Sequence, residues 1–317
     1  MADIKKIATR QAYGEFLKEY GAEREDLIVM SADLSGSNKT DLFEKEFPER
    51  FIESGISEQD MLAEAAGIAH SGHVVAASSF AMFAAGRAYE IIRNSIVHTN
   101  ANVKVCATHG GITVGEDGAS HQTFEDIALM RVLPGMVVIN PADAVSTKKL
   151  MRQEFEREGS AYIRLGRAGV PAVYSEDADI RVGKAMELRS GNDVAVIATG
   201  IMVEAALQAA DILAAEGINA RVIDMHTIKP IDEEAIIKAA TECKGIVTAE
   251  EHSVIGGLGG AVAEVTAAKS PCRIAMVGQH DVFGESGKPA ELLAKYGMTA
   301  DYIVSAARSL IEQTPDV

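Results

Sequence analysis

Tryptophan is absent from the 317 residues, and aromatic residues make up only 5% of them. Each remaining Phe and Tyr therefore carries more information than usual. Cysteine is also scarce: Cys106, Cys243 and Cys272 are scattered, with no CxxC or metal-ligand spacing. That argues against a disulfide framework and points to a reduced, cytoplasmic protein with core thiols. No run of about 18 uninterrupted apolar residues occurs, so a membrane span is not expected. The N-terminal MADIKKIATRQAYGEF has no apolar stretch of the signal-peptide kind. Positive charge is short, with 30 Lys and Arg against 46 Asp and Glu and a formal net charge of -16. Binding to nucleic acid needs an excess of cations to displace counterions, so neither nucleic acid nor an anionic membrane surface is an expected partner. A small phosphorylated substrate is not opposed, because a few local cations override a global field.

What is present reads as an ordinary soluble globular chain, 47% hydrophobic and 24% charged. Its length favours two domains. Short apolar runs at 27–30, 74–77, 103–107, 136–139 and 162–165 read as buried strands. Helical patterns at 6–20, 58–71, 83–98, 122–131 and 143–157 alternate with them. This alternation predicts an α/β fold with a mostly parallel sheet flanked by helices. The periodicity is lost over 168–192, which holds Pro, Gly and an acidic cluster and reads as a passage into a second domain. It restarts with strands at 194–198, 220–224 and 246–249 and helices at 203–216, 232–242 and 259–268. The expected organisation is a first domain over 1–175, a linker over 176–190 and a smaller α/β domain over 191–317.

Five clusters follow the strand ends of the first domain, where the ligand crevice of an open α/β sheet lies. Ser31 to Asn38, with Asp33 and Ser37, reads either as a turn-rich loop or as a polar lip on the crevice. Ser57-Glu58 resembles a helix start, where a carboxylate is favoured by the helix dipole. The following MLAEAAGIA is small and apolar, so that helix should be buried. A carboxylate there needs a partner, and its setting suits proton exchange with a heterocyclic nitrogen. Phe80 and Phe83 read as core packing or as a flat platform for an aromatic ligand. The stretch from Thr108 to Gln122 holds His109, Asp117, His121 and four glycines. Its spacing is not that of a common zinc motif, and hydrogen bonding to a polyhydroxylated substrate fits better. Arg164 and Arg167 read as surface residues or as an anion fork. Gly256 to Gly260 lacks the register of a dinucleotide fingerprint, because Val262 stands where the third Gly should be, and reads as a tight strand-to-helix turn. His226, His252 and His280 read as structural.

In this order the clusters resemble the second half of transketolases, across essentially the whole chain. GEDGASHQTFEDIALMRVLPGM is similar to the family's GEDGPTHQ...LR..P.M pattern. GISEQ resembles the G-I-x-E core of thiamine-diphosphate enzymes, and SADLSGSN the family's SADL-x-x-SN. The resemblance implies a pyrimidine-binding domain followed by the transketolase C-terminal domain. It makes Glu58 the carboxylate on N1' of the cofactor's aminopyrimidine, Phe80 and Phe83 the aromatics on that ring, and Asp33 an acidic neighbour of the cofactor. It gives Asp117 and His121 to the donor hydroxyls near the reacting carbon, with His121 in the catalytic set. Ser37, His109 and Arg167 fall to the sugar phosphate. Arg164 is not one of the family's usual phosphate ligands. The chain departs from the pattern at Gly86, where a third aromatic is common; Tyr89 is a substitute. It also lacks the GDG...N magnesium motif. Thiamine diphosphate is thus expected with Mg2+ held by a separate N-terminal transketolase subunit, and no metal ligands are assigned here. The family implies an α2β2 heterotetramer and two-carbon transfer between sugar phosphates, in the pentose-phosphate route or another. Competing readings are a 1-deoxyxylulose-5-phosphate synthase, which shares the Arg87-Ala88-Tyr89 run, a β subunit of 2-oxoacid dehydrogenase E1, and a catalytically silent assembly module.

Overall fold

The computed structural model describes residues 6–312. Fourteen strands occur among them. In the first part of the chain these are β1 (Ile7–Ala8), β2 (Leu27–Ser31), β3 (Phe51–Glu53), β4 (Val74–Phe80), β5 (Val103–Thr108), β6 (Val137–Ile139), β7 (Ala161–Arg164) and β8 (Gly169–Val170). The second part supplies β9 (Met186–Arg189), β10 (Val194–Ala198), β11 (Ala220–Asp224), β12 (Thr227–Lys229), β13 (Ile246–Ser253) and β14 (Ile274–Gln279).

The apolar runs become the buried strands, as their composition requires. Every residue of β4 and β5 is buried, which is the state of a parallel strand covered on both faces. The first sheet has the order β12-β6-β7-β5-β4-β2-β3 and is parallel except for β12. Its register sets Ser31 beside Ser78 and Phe80 beside Thr108, so the strand ends that carry the polar clusters lie side by side. The helix Thr9–Glu23 buries Tyr13, Phe16, Leu17 and Tyr20, a three-four spacing on one face. Phe16 and Tyr20 stack at 5.2 Å between centroids, and both meet the edge of Phe155 from the helix Ala144–Glu156. Four of the sixteen aromatic residues, Tyr13, Phe16, Tyr20 and Phe155, lie in this helix pair.

The second sheet has the order β14-β13-β10-β11-β9, with β9 antiparallel at the edge. The helices Met202–Ala215, Glu233–Glu242 and Leu258–Lys269 lie close to where the sequence places them. The turn Gly256–Gly257 before the last has a specific cause. The Glu250 carboxylate accepts the Leu258 and Gly259 amides at 2.7 and 2.8 Å, and a Cβ at Gly257 would lie 2.0 Å from its oxygen.

Several elements depart from the sequence reading. The stretch 83–98 is not one regular helix: π-helical turns at Met82–Arg87 and Ile92–Val97 flank a single α turn. Strand β9 forms inside 176–190, and β8 pairs with β1. Strand β12 lies in the second half of the sequence but pairs with β6 on the first sheet, Thr227 opposite Ile139 and Lys229 opposite Val138. Strand β14 and the helices Pro289–Lys295 and Ala300–Glu312 complete the second domain.

Candidate active site

The polar clusters converge beyond the carboxyl ends of β2, β3, β4, β5 and β7. Glu58 opens the helix Glu58–His70 and is 1% exposed. The helix takes it inside because its next turns bury Met61, Leu62, Ala65 and Ala66. The carboxylate has two partners. Arg87 donates to Oε2 at 2.6 Å, and the Ser79 hydroxyl donates to Oε1 at 3.3 Å. Arg87 is half exposed and also lies 5.2 Å over the Phe83 ring. Phe83 and Arg87, four residues apart in this turn, lie on the same side. Arg87 thus stands beside Phe83, while Tyr89 packs against the core.

Phe80 and Phe83 stack at 5.8 Å, and the two loop histidines join them. His109 stacks on Phe80 at 3.8 Å; His121 meets the edge of Phe83 at 5.2 Å and that of Phe80 at 6.3 Å. The Phe pair is therefore a partly accessible platform rather than plain core: Phe80 is buried and Phe83 intermediate.

Beside the platform is a cationic patch that sequence reasoning completed only in part. Arg10 donates to the Ser37 carbonyl at 2.8 Å and to Nε2 of His109 at 3.1 Å. Nδ1 of His109 then donates to Thr108 Oγ1 at 2.8 Å, and that hydroxyl donates to Asn38 Oδ1 at 2.6 Å. The ring is neutral in this chain of bonds. Burial first, then Arg10, Arg167 and His121, push its pKa down to about 3. Burial and the nearby Arg167 also lower that of Arg10. Arg167 bonds to the Val114 carbonyl and, at 3.1 Å, to Glu116. Arg10 carried a readable signal: a cation in the first turn of a helix opposes the helix dipole and so needs a reason to be there. Among the described residues Nδ2 of the buried Asn38 has no partner, leaving a donor beside the patch.

Asp117 and Asp33 are exposed on the rim. Asp33 has φ 57, and its amide bonds to Glu53 at 2.6 Å. Arg164 does not join the patch. It is 3% exposed and pairs with Asp126 at 2.8 Å, so it serves the junction of the two domains rather than an anion fork. Two clefts, of about 510 and 680 Å3, lie elsewhere, around Phe283 and around Tyr302. The converging clusters lie instead on a face with exposed residues such as Asp33 and Asp117. Among the described residues no group of three or more His, Cys, Asp or Glu could hold a metal ion.

A buried carboxylate at a helix head, an aromatic platform and an adjoining cationic patch lie together on a parallel sheet joined to a second α/β domain. Residues 5–172 match the pyrimidine-binding domain of transketolase, and residues 183–303 match the transketolase C-terminal domain. The chain belongs to the transketolase family. It is 50% identical over 307 residues to a putative transketolase C-terminal section of Methanocaldococcus jannaschii, covering 96% of this chain and 95% of that one. It is 39% identical over 304 residues to a 6-deoxy-6-sulfo-D-fructose transketolase subunit of Clostridium sp. strain MSTE9, covering 96% and 94%. Human transketolase is 38% identical over 310 residues, covering 96% of this chain and 49% of the human one. A solved split gene transketolase, an inactive beta4 tetramer, superposes with a TM-score of 0.91 at 52% identity, covering 98% of this chain and all of that one. These relatives are transketolases and transketolase subunits, so the synthase and E1 readings are not favoured.

Proposed function

We propose that this chain is the C-terminal subunit of a split, thiamine-diphosphate-dependent transketolase, a transferase that moves a two-carbon ketol unit from a ketose phosphate to an aldose phosphate. The observation that carries the reading is Glu58, a buried carboxylate at the edge of the Phe80–Phe83 platform and next to the cationic patch. These residues fit an aminopyrimidine: two rings to stack on it and a carboxylate to meet its nitrogen. Bound thiamine diphosphate would supply the electron sink that lets a carbon–carbon bond beside a carbonyl break. Glu58 then exchanges a proton at N1', Phe80 and Phe83 hold the ring, and Asp33 lies near it. His121 and Asp117 receive the donor hydroxyls. Ser37, His109 and Arg167, joined by Arg10, take the terminal anion. Two guanidiniums around a neutral imidazole favour a phosphate dianion over a singly charged sulfonate.

The magnesium ligands and the diphosphate site fall to an N-terminal partner subunit, in an α2β2 heterotetramer. Support comes from human transketolase, which carries about as much chain again beyond the matched half. Free Cys106, Cys243 and Cys272 fit a reducing, cytoplasmic setting, and among the described residues no helix is long and apolar enough to cross a membrane.

The test is two-carbon transfer from xylulose 5-phosphate to ribose 5-phosphate with thiamine diphosphate and Mg2+. Activity should appear only when the N-terminal subunit is added. Glu58→Gln should fold and bind the partner normally but lose about 10²- to 10⁴-fold in kcat, the usual range for a proton-transfer group. Near-normal turnover in that variant would sink the assignment of Glu58. Turnover of a sulfonated ketose but not of the phosphate would overturn the substrate class alone.

A further inference from the structure

We propose that Glu251, in β13 of the second domain, is a positioning residue for the loop that carries His109, Asp117 and His121, and that shaping this loop is a task of the C-terminal domain. The inference rests on the reading above for what the loop does, but not for how it is held.

The loop leaves β5 at Thr108 and crosses the junction of the two domains. At its start, Gly111 has φ +90 and lies directly on the Glu251 carboxylate. A Cβ there would be 2.2 Å from Cδ of Glu251, so the loop backbone can approach only as glycine. Oε1 of Glu251 accepts the Thr113 amide at 2.7 Å. The carboxylate is 3% exposed, so this bond is made without competition from water. Arg164 closes the arrangement from the first domain. It donates to Asp126 at 2.8 Å and to the Glu251 carbonyl at 2.9 Å, and a Cβ at Gly110 would meet its Nε at 2.7 Å. The far end of the loop is held by the second domain too: Gln122 Nε2 donates to the Glu285 carbonyl at 2.9 Å. The loop therefore takes its shape from a carboxylate on the neighbouring domain. It touches the Phe pair through His109 and His121, but His109 is fixed separately by Arg10 and Thr108, and among the described residues Glu58, Phe80 and Phe83 make no bond to Glu251. Disturbing Glu251 should therefore harm donor handling more than cofactor binding.

The experiment uses the full chain reconstituted with its N-terminal subunit, with xylulose 5-phosphate as donor. Glu251→Ala should lower kcat/KM for the donor by about 10- to 100-fold, the scale of a small misplacement of binding groups, with half-saturation by thiamine diphosphate within about twofold. Glu251→Gln keeps an oxygen for the Thr113 amide and should restore most of the activity. Unchanged donor kinetics in Glu251→Ala, or an equal loss for donor and cofactor, would overturn the proposal. Should Glu251→Ala fail to fold, Gly111→Ala makes the same test from the loop side, with the same expected split. If the wild-type complex turns over no donor, the functional reading fails. The loop inference is then read by hydrogen exchange of the Thr113 amide in the isolated chain. Glu251→Ala should speed that exchange about tenfold or more, since it exposes a bonded amide, and an unchanged rate would overturn it.

Discussion

Among the described residues Glu58 draws its one cation from a half-exposed arginine, and that makes the pair testable without any cofactor. Arg87→Met leaves the carboxylate buried beside the Ser79 hydroxyl alone. The cost should be about 1–3 kcal/mol, below the ~3–5 kcal/mol of a fully buried pair because water reaches Arg87. The urea midpoint of the isolated chain measures it, and an unmoved midpoint would show that the pair contributes nothing. Arg10→Gln acts on a different quantity. It removes a cation that meets the substrate before any bond breaks, so KM for the phosphorylated donor should rise about tenfold or more with kcat little changed. Steady-state kinetics across donor concentration separates the two. A fall in kcat instead would place Arg10 nearer the reacting carbon.

The segment between the domains is an element in its own right rather than slack chain. Asp143 caps the helix Ala144–Glu156 through the Ser146 amide, and its other oxygen accepts the Val173 and Tyr174 amides at 2.7 and 2.9 Å. Tyr174 then donates to Asp224 at the end of β11 at 2.7 Å. Asp224 is fully buried, and burial pushes its pKa up to about 7. A carboxyl whose pKa is higher folded than unfolded contributes stability that is present below about pH 4 and is lost as the pH rises through 7. His109 and His226, held down to about 3 and about 4 mainly by burial, work the other way: stability is lost as the pH falls from about 6.5 towards those values. Asp224→Asn should therefore remove the decline between pH 4 and 7 and leave the acid-side loss in place. Unfolding midpoints at pH 5 and pH 8 for both proteins give the comparison. An unchanged difference between the two pH values would mean that Asp224 is ionised throughout.

The whole molecule is stitched across its two sheets. Strand β12 covers the β6 edge of the first sheet, and the Asn140 amide bonds to the His226 carbonyl at 2.8 Å. An uncovered β6 would present unpaired backbone groups and invite aggregation. A chain ended after residue 190 should accordingly lose cooperative unfolding and self-associate, as seen by circular dichroism and gel filtration. A soluble, cooperatively folding fragment would show that the first domain stands alone.

The sequence by itself determined the α/β class, the main strands and the convergence of Glu58, Phe80, Phe83, His109, His121 and Arg167. These follow from local patterns: apolar runs that can only be buried strands, and polar clusters placed at their ends. Other features depend on contacts between residues far apart in the chain. Arg87 meets Glu58 from a different helix, 29 residues further along the chain, and Arg10 meets His109 only once the first helix packs on the first sheet. The return of β12 to the first sheet, Arg164 as a buried partner of Asp126, and Gly111 resting on Glu251 were decided by tertiary packing alone. Which charge is buried, and beside what, is a property of two surfaces meeting, and no window of sequence contains both.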